Sequence, residues 1–368
     1  MTEWRECKLG DVITFQRGYD LPKDKMVRGI YPVVASNGII GFHNEYTTEN
    51  PCVTIGRSGN VGNPNIVYSR AWAHNTTLYI REYKNCDPVF IYYMLHTLDL
   101  GRYASGSAVP TLNRNHIHSI LISMPPLPEQ KAIAEVLSSL DDKIDLLTRQ
   151  NKTLEDLAQA YFRKWFIEDA SDDWDVGKAE DYFEIGIGKT PPRKEHKWFT
   201  NNPNDKVWIS IADMGKSGLF IGDSSEYLTS EAVERFNIRR VPKGSILLSF
   251  KLTVGRVAVA LCELTTNEAI AHFKYKEAIY REYLYCYLKS FDYNSLGSTS
   301  SIATAINSTI IKEMPFVMPD KCKLTKFHEL TAPIFRKIET NILQMTTLQK
   351  LRDTLLPKLI SGEVRVKQ

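Results

Sequence analysis

The string Gly186-Ile187-Gly188-Lys189-Thr190 holds the residue types with which phosphate-binding loops grip a nucleotide. Such a loop needs a glycine five residues before the one preceding the lysine, and a helix directly after the threonine. Position 183 is Phe183, and Pro191 and Pro192 follow Thr190. An ATP site is therefore disfavoured. As a loop, Lys189, Thr190, Arg193, Lys194, His196 and Lys197 make the most basic stretch of the second half. Side chains of these types satisfy DNA phosphates and base edges. A solvated charged loop is the other reading.

A second glycine-rich string, Gly56–Gly62, has the spacing Gly-x-x-Gly-x-x-Gly rather than the Gly-x-Gly-x-x-Gly of a dinucleotide loop. It reads as a turn between strands. Arg57, Ser58, Asn60 and Asn63 would stand on that turn, where arginine can read guanine and asparagine can read adenine. Lys251 and Arg256 occupy the analogous strand–turn–strand of the second half. His74 and Asn75 match Asn267 and Glu268 by pattern, each pair before a strand. Gly106–Asn115 and Gly297–Ser308 are Ser/Thr/Asn-rich loops at equivalent places. They either contact phosphates or bond to their own backbone as turns.

Other chemistry lacks its signature. Asn63-Pro64-Asn65-Ile66 fails the third position of an amino-methyltransferase motif, and no Gly-x-Ser-x-Gly elbow or convincing nuclease constellation stands out. The six cysteines are scattered and none forms a CxxC pair, so neither a zinc site nor a disulfide framework is indicated. No metal or cofactor is expected. With 46 basic and 43 acidic residues the net charge is +3, which neither demands nor excludes nucleic acid. No apolar run approaches a membrane span. The charged start, Thr2-Glu3-Trp4-Arg5-Glu6, lacks a signal core, so a reducing cytoplasm is the expected location.

The positioning elements come in duplicate. Glu129–Phe166 and Lys323–Ile360 align without a gap, placing Lys143 on Lys337, Leu154 on Leu348 and Lys164 on Lys358. Nearer the start, Trp4 meets Trp174, Asp11 meets Asp181 and Gly18 meets Gly188. Each half reads as a mixed α/β globule followed by one long helix. Strands are predicted over Cys52–Ile55, Thr76–Arg81, Val207–Ile211, Ser245–Phe250, Gly255–Ala260 and Ala271–Tyr275. Helices are predicted over Val89–Leu98, capped by Asp87 and Pro88, and over Tyr280–Ser290.

In the long segments, Leu137, Leu140, Ile144, Leu147, Asn151, Leu154, Ala158, Tyr161 and Trp165 keep a 3-4 spacing. Thr331, Ile334, Ile338, Asn341, Met345, Leu348, Arg352, Leu355 and Leu359 keep the same one. Those are heptad seams on rods of roughly 57 Å. Two such seams in one chain invite antiparallel pairing about a pseudo-two-fold axis. Asn151, Asn341 and Arg352 interrupt the seam, either to fix register or because they face water. Pro333 is expected to kink the second helix or mark its start.

The order globule–helix–globule–helix resembles the specificity subunit of type I restriction-modification systems. Met124–Asp145 is similar to that family's first conserved helix and Leu351–Val366 to its C-terminal signature. Tyr31–Tyr46 with Ile55–Ser69 resembles one class of target-recognition domain, and Gly186–Phe199 with Val207–Met214 another. The resemblance implies two α/β target-recognition domains, 1–127 and 169–320. Two long antiparallel coiled-coil helices, 128–168 and 321–368, would separate them. It implies a non-catalytic reader of an asymmetric, bipartite site in double-stranded DNA. Two modification subunits would dock on the helices, and restriction subunits would join them. Tyr161, Phe162, Phe166 and Leu356 either face outward to touch those partners or pack in the core. Candidate DNA contacts are the turn and loop residues named above with Ser36, Asn37, Arg70, Asn113, Arg114, Ser298 and Thr299. The competing readings are an NTP- or S-adenosylmethionine-dependent enzyme and a coiled-coil scaffold.

Overall fold

The computed structural model describes residues 4–106, 110–296 and 306–366. Ser298 and Thr299 lie outside the described residues. The chain divides into unit 1, Met1–Asp145 with Thr346–Gln368, and unit 2, Leu146–Met345.

Unit 1 is built on β1 (Ile13–Arg17), β2 (Tyr31–Ala35), β3 (Gly38–His43), β4 (Cys52–Gly56), β5 (Pro64–Val67), β6 (Trp72–Ala73) and β7 (Thr77–Tyr83). The order β1-β7-β4-β5 makes an antiparallel sheet, and β3-β2-β6 makes a second in which β2 and β6 run parallel. Phe15, Val53, Ile55 and Leu78 pack beneath the helix Pro88–Thr97. That helix starts as predicted, with the Asp87 carboxylate accepting the Val89 and Phe90 amides.

Unit 2 repeats the plan with β8 (Glu184–Ile187), β9 (Lys206–Ile209), β10 (Phe220–Ile221), β11 (Ile246–Ser249), β12 (Val257–Ala260), β13 (Thr265–Thr266) and β14 (Ile270–Lys274). Its main sheet runs β8-β14-β11-β12-β10, and β9 pairs in parallel with β13 as β2 does with β6. The predicted strands all form, with ends shifted by a residue or two.

The two long helices span Leu127–Arg163 and Lys321–Ser361. The first ends in a π-turn over Lys164–Glu168. Every predicted seam residue is buried or half-buried. Within unit 1, Arg352 donates to Asp141 at 2.6 Å, and Arg365 closes on Glu129, which also accepts the Trp4 indole at 3.2 Å. Early residues of the first helix therefore meet late residues of the second, an antiparallel pairing. Within unit 2 the same sense holds: Asn341 donates to Asn151 at 2.7 Å and to Gln150 at 2.9 Å, and Phe162 meets Phe327. Among the described residues, no helix is long and apolar enough to cross a membrane.

Two expectations are corrected. Pro333 does not begin the helix, which starts twelve residues earlier at Lys321. Proline deprives the Glu329 carbonyl of its partner, but both residues are exposed, so water can satisfy it. Phe162 and Phe166 do not face outward. They are 3% and 8% exposed, inside the aromatic core of unit 2.

Asn341 is fully buried and spends both amide protons across the seam. Replacing it with alanine takes the donor from the half-buried Asn151 oxygen, while the exposed Gln150 turns to water, at an expected cost of about 1–3 kcal/mol to unit 2. Asn151→Leu/Asn341→Leu, which removes both polar partners, should recover most of that loss. Urea denaturation of the three proteins checks this; a double variant no better than the single one contradicts it.

Candidate nucleic-acid interface

In unit 1, three segments meet at one end of the main sheet. The chain leaving β1 passes the chain entering β7: the Gly18 amide donates to Thr77 at 3.0 Å and the Tyr19 amide to Ala73 at 2.8 Å. A Cβ at Gly18 would collide with the His74 carbonyl, so only glycine allows this crossing. The third segment is the turn between β4 and β5. The Arg57 and Ser58 amides donate to Thr76 at 2.8 and 3.2 Å, and Gly62 donates to Gly56 at 2.8 Å. The turn is thus fixed by backbone bonds, which leaves its side chains free of that task.

Unit 2 builds the same end. The Gly188 amide donates to Ile270 at 3.1 Å and Lys189 to Thr266 at 2.9 Å. A Cβ at Gly188 would collide with Thr266 and the Asn267 carbonyl. The Phe250 amide donates to Ala269 at 2.9 Å and Gly255 to Ser249 at 3.0 Å. The predicted matches of Gly18 with Gly188, of His74 and Asn75 with Asn267 and Glu268, and of the two turns are therefore matches in backbone geometry.

The side chains differ. In unit 1, Arg57 is half-buried beside Arg17, and among the described residues neither pairs with a carboxylate. Burial, then the charge of Arg17, pushes the Arg57 guanidinium below its usual range. An incoming anion would relieve that repulsion. Asn37, Asn60 and Asn63 are exposed around the turn, with Ser58 half-buried. Ser36 is buried, and its amide donates to the Thr76 hydroxyl at 3.2 Å, so it supports the turn. Arg70 lies beyond the far end of β5, paired with Glu49 at 2.8 Å and stacked over Tyr46. Asn113 caps the short helix Arg114–His118 through the Asn115 amide, and Arg114 reaches the Phe15 carbonyl at 3.5 Å.

In unit 2 much of the basic loop is engaged internally. Lys189 donates to the Phe236 carbonyl at 2.7 Å, and Thr190 bonds Glu268. Arg193 makes two bonds to Glu226, at 2.8 and 3.0 Å, and lies over Phe199 and Trp208. Lys197 sits 3.7 Å from Glu195 and over Trp198. Arg256 donates to the Ile211 carbonyl at 2.6 Å. Lys194, His196 and Lys251 are exposed with no carboxylate partner among the described residues. No helix starts directly after Thr190, where the next turn of helix is the short 3-10 segment His196–Trp198, and the lysine of the apparent nucleotide loop is tied to a carbonyl. Among the described residues, no three His, Cys, Asp or Glu side chains gather as metal ligands.

Arg17 and Tyr19 were missed in the sequence. They flank Gly18 as Ile187 and Lys189 flank Gly188, so the duplication itself was the signal. Tyr19 is 42% exposed and packs edge-on against Trp72.

One α/β unit made twice, with two long helices and a turn-bearing sheet end in each copy, is the architecture of a duplicated recognition protein. The model of the type I restriction modification DNA specificity domain matches residues 1–156 and 171–344, and the chain belongs to that family. The MjaIX type I restriction enzyme specificity subunit of Methanocaldococcus jannaschii is 27% identical over 309 residues, covering 76% of this chain and 69% of its own. The MjaVIII specificity subunit of the same organism is 22% identical, covering 99% of this chain and 94% of its own. The crystal structure of a type I restriction-modification S subunit from M. genitalium shares the fold. Its TM-score is 0.63 at 15% identity, covering 97% of this chain and 96% of that one.

Proposed function

We propose that this chain selects the DNA site for a type I restriction-modification complex, unit 1 contacting one half-site and unit 2 the other. The observation that carries this reading is one backbone frame built twice with dissimilar side chains. Arg17, Arg57, Asn60 and Asn63 dress the first copy; Lys194, His196 and Lys251 dress the second. Unlike side chains on like frames read unlike sequences, so the site is asymmetric. The target-recognition domains are 1–127 and 169–320, and the helices of 128–168 and 321–368 set the gap between half-sites. Methylation and cleavage belong to partner subunits. The modification subunits dock on helix faces that expose Leu157 in unit 2 and Leu351 in unit 1, 41% and 45% accessible. Restriction subunits join that core, and the chain itself carries no catalytic step. Its site of action is the cytoplasm.

Arg57→Ala tests the assignment. Sequencing adenine methylation in cells carrying the complex should show relaxed recognition in one half-site only, with affinity for the original site down about ten- to hundredfold. Both half-sites changing together would refute one unit per half-site.

A further inference from the structure

The turn between β11 and β12 carries Leu252 at its tip. Leu252 is 96% exposed, the most accessible of the large apolar residues described. Its φ is +61°, a left-handed conformation that a side chain bearing Cβ rarely adopts. The matching position in unit 1 is Gly59, with φ +81°. The correspondence is fixed by hydrogen bonds, since Gly56, Gly59 and Gly62 take the places of Ser249, Leu252 and Gly255. The frame therefore asks for glycine, and unit 2 supplies leucine.

The turn beneath Leu252 is braced. The Ser249 hydroxyl donates to the Thr253 carbonyl at 2.5 Å and accepts the Arg256 amide at 3.1 Å. The Thr253 amide donates to Lys251 at 2.7 Å, and Arg256 anchors the turn to the Ile211 carbonyl. Leu252 thus stands exposed on a braced turn. Lys251, exposed beside it, brings a positive charge to the same tip.

We propose that Leu252 is an apolar wedge that enters a base step of the half-site contacted by unit 2, unstacking it while Lys251 meets the adjoining phosphate. Proteins that kink DNA insert apolar side chains such as leucine between base steps and use basic residues beside them. Unit 1, with glycine at the equivalent tip, has no such wedge. The proposal rests on the reading that each unit contacts one half-site.

The experiment uses the full chain assembled with its modification partner and a duplex bearing the site found by methylation mapping. 2-Aminopurine replaces in turn each adenine except those the modification subunits methylate and their direct neighbours, because a methyltransferase flips its target base out of the stack. Wild type should give a several-fold fluorescence rise at one step of one half-site and none in the other. Leu252→Gly suits the left-handed backbone, so the protein keeps its melting temperature. It should lose the rise and bind about tenfold more weakly. Lys251→Ala should weaken binding and flatten its salt dependence while keeping the rise. Tight binding without any rise, or a rise that survives Leu252→Gly, overturns the wedge. Lys194→Ala/His196→Ala separates the two ideas: if it shifts recognition in one half-site while no rise is seen, the wedge alone fails. If it shifts both half-sites, the reading beneath it fails as well.

Discussion

Replacing Phe327 with alanine should cost unit 2 about 3–5 kcal/mol, the usual penalty for emptying a fully buried phenylalanine site. Phe327 is 0% exposed, on the second long helix. Its ring lies 5.0 Å from that of Phe166, 6.1 Å from Trp165 and 6.4 Å from Phe162, all contributed by the first long helix and its π-turn. Phe166 in turn stacks edge-on with Tyr283 at 4.7 Å. One ring therefore joins both helices to the globular part of unit 2, and its neighbours are too rigid to close the hole. Leu330→Ala, on the same helix but 37% exposed, should change stability by about 0.5 kcal/mol or less. Denaturant titration with localised hydrogen exchange is the measurement. A Phe327→Ala cost below that of Leu330→Ala would show that the rings contribute little.

The second large effect depends on pH. His272 lies on β14, fully buried between β8 and β11. Its Nε2 meets the Thr266 hydroxyl at 2.5 Å, and that hydroxyl can donate onward to the Asn267 carbonyl at 3.2 Å. Nε2 then carries the proton. Nδ1 has no hydrogen-bond partner, so a second proton there would find no acceptor. Burial, then the charges of Arg239 and Lys274, lowers this imidazole from 6.5 to about 3. Glu184 faces the same region but pairs with both Arg239 and Lys274. Between pH 3 and 6.5 the unfolded chain binds the proton that the folded one refuses. The stabilisation is complete above pH 6.5 and falls on acidification by up to about 1.4 kcal/mol per pH unit. Thr266 also accepts the Lys189 amide, so the recognition end of unit 2 should loosen with it. His272→Gln should flatten the slope over that window. An equal slope in both proteins would place the acid sensitivity elsewhere.

The long helices were legible because a 3-4 seam needs only local counting, and the burial of Leu137, Leu147, Ala158 and Ile338 follows it. The turns were legible for the same reason: glycines between β-branched runs mark them. Pro333 does not mark the start of its helix because its cost depends on exposure, which local counting does not give. The recognition end was only half legible. Which basic residues sit there follows from strand order. Which of them remain available follows from contacts such as Arg193 with Glu226 and Trp208, made between residues far apart in sequence. Phe162 and Phe166 were misplaced on the same account, since the helix face they occupy is covered by Tyr283 and Phe327.

The turns at the sheet ends are clamped through main-chain atoms, with the Ser249 hydroxyl and the Arg256 side chain as added braces in unit 2. On the reading proposed above, exchanging Ser58, Asn60 or Lys251 would alter the letters offered to a partner while the support stays as it was. A lineage carrying this scaffold would then drift toward new words by point changes in one copy, leaving the other copy's vocabulary intact.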